Sequence, residues 1–170
     1  MRFKLPALLA LAFGGALILS TPAQRIAAQD MGIPMGTRPK AAVVRTLDGK
    51  PVDLARYVGK TPVMIEFWAT WCPNCKELMP ALTAAEKKYG NRVKFLTVAV
   101  AINQSPAKVK RYLAAHPQRH EMLFDTEGAA AEAFDAPATS YVVMLDKTGK
   151  VVYTGLGGKQ NLDAAVRKGL

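Results

Sequence analysis

The sequence predicts an α/β fold, one mixed β-sheet with helices on both faces. Three observations point there. Two long apolar, β-branched runs at 62–68 and 93–102 are joined by a helical stretch, the arrangement of a parallel βαβ unit. Two later strand signals flank the turn Asp146-Lys147-Thr148-Gly149, so the sheet closes with an antiparallel pair. The chain has 170 residues, 50% apolar and 21% charged, which suits one globular domain rather than a disordered, fibrous or multi-span chain.

Taken in order, residues 41–46 read as a short strand, and Asp48-Gly49 turns it into a hairpin with Pro51-Val52. Residues 53–57 read as one helical turn. The run 62–68 is nearly all apolar, as in a central strand buried on both faces. A helix is predicted over 73–89, stopped at Gly90-Asn91. After the strand at 93–102, Ser105 caps and Pro106 opens a helix to 115. A short strand at 122–124, an alanine-rich helix at 129–134, strands at 140–145 and 151–154, and a last helix at 162–168 complete the order. No internal repeat divides the chain.

The formal charge is +10, from 23 Lys and Arg against 13 Asp and Glu. The basic residues fall as singles and pairs and do not interleave with aromatics, so a nucleic acid partner is not expected. Arg2 and Lys4 precede an apolar run at 5–19, the pattern of a signal peptide and short for a membrane span. Residues 1–28 are therefore expected to be a signal peptide or membrane anchor, with cleavage after Ala23 or Ala28. The expected location is periplasmic or otherwise extracytoplasmic, either free after cleavage or tethered by the N-terminus. Residues 29–38, with Pro, Gly, Met31 and Met35, read as a flexible leader, and 39–170 as the domain.

Chemistry concentrates in Glu66-Phe67-Trp68-Ala69-Thr70-Trp71-Cys72-Pro73-Asn74-Cys75. A Cys-x-x-Cys opening a helix after a strand reads as a redox dithiol. The helix N-terminus offers free N–H groups and a positive dipole end, both of which stabilise a Cys72 thiolate. Cys72 is therefore expected to be an exposed nucleophile and Cys75 a buried resolver. Pro73 fits the first helical turn. A structural disulfide across so small a loop would add little stability. A zinc site with His116 and His120 would need ligand pairs far apart in the sequence. Both histidines are expected on a solvated loop. Glu66 stands out as a carboxylate in an apolar strand, where burial raises the pKa or marks a task.

Residues 62–80 resemble a thioredoxin-fold active site, and the wording 67–72 resembles the TlpA/ResA-like exported thiol–disulfide oxidoreductases. The resemblance covers about 39–168 and includes Pro80 in the helix, Ala136-Pro137 before a strand, Gly59-Lys60-Thr61-Pro62 and a longer central insert at 103–134. It implies a thioredoxin-like fold with an N-terminal β-hairpin extension and a cis Ala136–Pro137 bond beside Cys72. It implies that Glu66 relays a proton to and from Cys75, and that Trp71, Pro73, Ala136 and Pro137 meet the substrate. It also implies disulfide-containing client proteins outside the cytoplasm, a membrane thiol electron donor, a monomer, and no cofactor or metal.

The chain departs from the family at Asn74, where a proline is common, and at Ala138, where the cytochrome c maturation branch carries Glu. No His lies between the cysteines. The expected function is a protein disulfide reductase. A dithiol oxidase or isomerase on the same fold, or a redox-inactive metal-binding protein or metallochaperone, are the alternatives.

Overall fold

Residues 31–170 are described by the computed structural model; the signal or anchor segment expected at 1–28 lies outside them. Among the described residues seven strands form one sheet in the order β2-β1-β5-β4-β3-β6-β7. They are β1 Val43–Thr46, β2 Pro51–Asp53, β3 Val63–Trp68, β4 Lys94–Val100, β5 Glu121–Asp125, β6 Tyr141–Leu145 and β7 Val151–Leu156. Pairs β3–β4 and β4–β5 are parallel, and the other pairs antiparallel. This is the thioredoxin-like fold that the sequence implies, with the β1–β2 hairpin added at one edge.

Among the described residues there are four α-helices, α1 Pro73–Tyr89, α2 Pro106–Ala115, α3 Ala129–Ala133 and α4 Leu162–Gly169, and one 3-10 turn at Leu54–Arg56. Strand alternation divides the core. Met64, Val142 and Met144 turn to the face covered by α1 and α4, with Leu78, Leu82, Leu162 and Val166. Val63, Ile65, Phe67, Val143 and Leu145 turn to the other, with Val109 of α2 and Ala130 and Ala133 of α3. Every residue of β3 is buried, which is why its sequence lacks an alternating pattern. In α1 the buried residues Leu78, Leu82, Ala85 and Tyr89 recur at helical spacing, each side chain the size of Leu contributing about 1.5–3 kcal/mol by burial. Pro80 sits inside α1 on its exposed side.

Two expectations change here. Residues 31–38, expected as a flexible leader, are tied to the domain. The Ile33 amide donates to both Phe134 O and Tyr141 Oη at 3.1 Å, and Gly36 N and Thr37 O bond Val151. Ile33 is buried, and that apolar anchor is what holds the stretch. The Ala136–Pro137 bond, expected cis, is trans, since no cis bond occurs among the described residues. The reversal into β6 is made instead by left-handed residues on either side, Asp135 at φ 44° and Ser140 at φ 61°. Ser140 holds this conformation because its N–H donates to Phe67 O at 2.7 Å and its carbonyl accepts from Gly157 N and Gln160 Nε2. With the turn made there, nothing offsets the preference of an X–Pro bond for trans.

Candidate active site

The α1 helix opens on Cys72, whose Sγ accepts a hydrogen bond from the Cys75 amide at 3.0 Å. Pro73 occupies the first helical position, where its missing N–H costs nothing. Cys72 and Cys75 are joined by a disulfide with Cα atoms 5.3 Å apart. Cys72 was expected to be exposed, but the two cysteines are 2% and 1% exposed. The Cys72 sulfur turns inward over the helix end, toward the Cys75 amide and its disulfide partner. What distinguishes the two is therefore the amide bond to Cys72 Sγ, not access to solvent.

The loop leading to Cys72 is clamped to the loop after β4. Gln104 bridges them: its Oε1 accepts from Thr70 N at 2.9 Å, and its Nε2 donates to Val100 O at 2.6 Å. Trp71 Nε1 donates to Ile102 O at 2.8 Å. Sequence reading missed Gln104, because a glutamine in a loop carries no local signal of a long-range bridge. Trp71 and Ile102 remain exposed and line an apolar groove of about 570 Å³ together with Ala131, Ala136 and Pro137. Trp71, Ala136 and Pro137 are thus brought together, whereas Pro73 is exposed but does not line the groove.

On the α1 face of the sheet, Glu66 pairs in register with Thr97 of β4 and Val142 of β6. It is 3% exposed, and its Oε1 finds no hydrogen-bond partner. Burial pushes its pKa up to about 8. A cavity of about 10 Å³ adjoins it, lined by Trp68, Met79, Thr97 and His120 among others.

The two histidines part company. His116 lies exposed and stacks on Tyr112 at 4.4 Å. His120 was expected on a solvated loop, yet its side chain is 3% exposed. Its Nε2 meets Thr97 Oγ1 at 2.8 Å and its Nδ1 meets Glu86 Oε2 at 3.2 Å. It packs inward because it immediately precedes β5 and shares the side of Met122, which the register sets opposite Thr97. Among the described residues no three His, Cys, Asp or Glu side chains gather as a metal-ion set.

A redox disulfide at the N-terminus of the helix that follows a central strand of this sheet defines a thioredoxin-fold thiol–disulfide oxidoreductase. The chain belongs to the redoxin family, whose model matches residues 29–168, and it is a TlpA/ResA-like member. It is 28% identical over 110 residues to the thiol-disulfide oxidoreductase YkuV of Bacillus subtilis, covering 63% of this chain and 74% of that one. Over 128 residues it is 26% identical to the thiol-disulfide oxidoreductase ResA of Bacillus cereus, covering 74% and 73%. Among solved structures it is similar to the exposed lipoprotein thioredoxin Etrx1 of Streptococcus pneumoniae, with a TM-score of 0.62 and 27% identity over 76% and 96% of the chains. A thiol:disulfide interchange protein of Chlorobium tepidum shares the fold, with a TM-score of 0.66 and 23% identity over 81% and 98%.

Proposed function

We propose that this oxidoreductase works outside the cytoplasm and reduces disulfides of client proteins. The Cys72 thiolate attacks a client disulfide, forming a mixed disulfide and releasing one client thiolate. Cys75 then gives up its proton and attacks the Cys72 sulfur. The second client thiolate leaves, and Cys72–Cys75 becomes the disulfide. Glu66 takes the Cys75 proton, supported by its burial on the sheet face that α1 covers and by its raised pKa. The groove lined by Trp71, Ala136 and Pro137 receives the client. A dithiol donor at the membrane restores the thiols. Export rests on the basic and apolar pattern of residues 2–19 and on the similarity to an exposed lipoprotein thioredoxin.

The observation that carries the direction is the environment of Cys72 Sγ, which among the described residues accepts one hydrogen bond, from the Cys75 amide. A strong oxidant needs its thiolate stabilised far more than this. Lys76 is exposed on α1, and Glu66 opposes a nearby thiolate when ionised. The potential should lie nearer about −270 mV than about −120 mV. Equilibration with glutathione, read by tryptophan fluorescence, measures it. A value more oxidising than about −160 mV would make the protein a disulfide donor and defeat the reductase reading.

A further inference from the structure

A buried acid that takes a proton in each cycle must also lose it, and Glu66 is only 3% exposed. Its unpartnered Oε1 adjoins a cavity with room for about one water molecule. Thr97 and His120 line the same cavity. His120 also lines a second, open cavity of about 300 Å³, together with Glu86, Lys94, Arg119 and Glu121. One side chain therefore borders both the buried carboxylate's cavity and the solvent side.

We propose that His120 carries the proton between Glu66 and solvent, through one water and the Thr97 hydroxyl on the inner side and Glu86 on the outer side.

With Glu86 ionised and the His120 ring neutral, the hydrogen bonds around His120 run in one direction. Ionised Glu86 can only accept, so His120 Nδ1 carries the hydrogen shared at 3.2 Å. The neutral ring then presents Nε2 as an acceptor, and Thr97 Oγ1 donates to it at 2.8 Å. Thr97 Oγ1 keeps lone pairs for a water, and that water accepts from the protonated Glu66 carboxyl. A proton leaving Glu66 passes to the water while the water's proton passes to Thr97. The Thr97 proton moves to Nε2, and the Nδ1 proton moves through Glu86 to solvent. Rotation of the water and the hydroxyl resets the inner side, a flip of the imidazole ring returns the hydrogen from Nε2 to the Nδ1 side, and the only charge left behind is the Glu66 carboxylate, ready to take the next proton.

The other groups near this path do not interrupt it. Lys94 is held by Glu121 at 2.9 Å. Arg119 is exposed. Tyr112 of α2 lies near enough to Glu66 for its phenol pKa to be raised, after burial, by that carboxylate. Gln118 donates to Met79 Sδ at 3.1 Å.

The inference rests on the reading that Glu66 takes the Cys75 proton, and the test separates the two. At about pH 7, where Glu66 starts protonated and must lose its proton before it can take another, the reduced full chain is mixed with saturating oxidised glutathione, and the single-turnover formation of Cys72–Cys75 is followed by tryptophan fluorescence. His120→Gln should slow this step about tenfold, less than the 10²–10⁴ of a direct general base because water offers a slower route. Thr97→Val should slow it similarly without touching the imidazole. His120→Ala should regain rate on addition of free imidazole. In a Glu66→Gln background, His120→Gln should add no further slowing. If Glu66→Gln slows the step but His120→Gln does not, or slows it equally in both backgrounds without imidazole rescue, the relay is overturned and the Glu66 reading stands. If Glu66→Gln leaves the rate unchanged, that reading fails and the relay with it.

Discussion

Trp71 Nε1 donates to the carbonyl oxygen of Ile102 across 2.8 Å, so the residue before the first cysteine is fixed to the loop after β4. Trp71 is nevertheless 42% exposed and Ile102 63% exposed. The bond holds two large apolar side chains open to solvent at the mouth of the groove. Keeping apolar surface exposed costs free energy unless something binds there.

Truncating the indole should therefore weaken client binding more than chemistry. Trp71→Ala should raise KM for an unfolded disulfide-containing protein about tenfold, the equivalent of about 1.4 kcal/mol, with kcat nearly unchanged. Reduction of a small disulfide such as oxidised glutathione should change much less. Steady-state kinetics with both substrates reads the split. Equal losses for both would place Trp71 in support of the dithiol rather than in the groove.

The attack order expected of the pair rests on the hydrogen bond from the Cys75 amide to Cys72 Sγ, since burial does not separate the two sulfurs. Cys75→Ala should accumulate mixed disulfides with clients through Cys72, visible on non-reducing gels. Cys72→Ala should accumulate none. Trapping by Cys72→Ala alone would reverse the roles.

Local signals explain what was legible in the sequence. The bounds of α1 follow from a Cys72 cap, Pro73 at the first position and Gly90 at the end, all read within a few residues. Ser105 and Pro106 set the start of α2 in the same way, with Ser105 Oγ accepting from Lys108 N. The hidden features depend on partners far along the chain. Ile33 is held by Phe134 and Tyr141, and His120 by Thr97 and Glu86. His120 reads as a loop residue because Pro117 and Arg119 surround it, and only the sheet register turns it inward. The Pro137 bond depends on how Asp135 and Ser140 turn the backbone, which no proline motif specifies.

Asp125 lines the groove. It is 1% exposed, and its two oxygens accept from Ala130 N at 3.2 Å and Ala131 N at 2.9 Å. The Gly128 cap of α3 supplies no side-chain bond, so this carboxylate alone serves those amides. Asp125→Ala should destabilise the chain by about 2 kcal/mol, and Asp125→Asn by about half as much because one acceptor oxygen remains. Urea denaturation midpoints at unchanged m-value measure this. No loss for Asp125→Ala would mean that solvent satisfies the two amides.

Glu66 should leave a mark on stability as well as on rate. Its pKa is pushed from an ordinary carboxylate value of 4.5 up to about 8 by burial alone. The unfolded chain therefore releases this proton near 4.5, while the folded chain keeps it until about 8. Between those values the folded state binds the extra proton, so rising pH favours unfolding. The preference for the folded state is complete below about 4.5 and is lost as pH rises through about 8. A difference of this size corresponds to about 5 kcal/mol at the alkaline limit, before relaxation and water entry reduce it. Glu66→Gln has no proton to lose, so its melting temperature should fall less than the parent's between about pH 5 and pH 9. The variant should gain on the parent steadily across that range, measured by thermal melts of the oxidised protein. Parallel curves would show that Glu66 ionises in the folded chain at an ordinary pH, and the cavity beside it would then have to supply the solvation that burial removes.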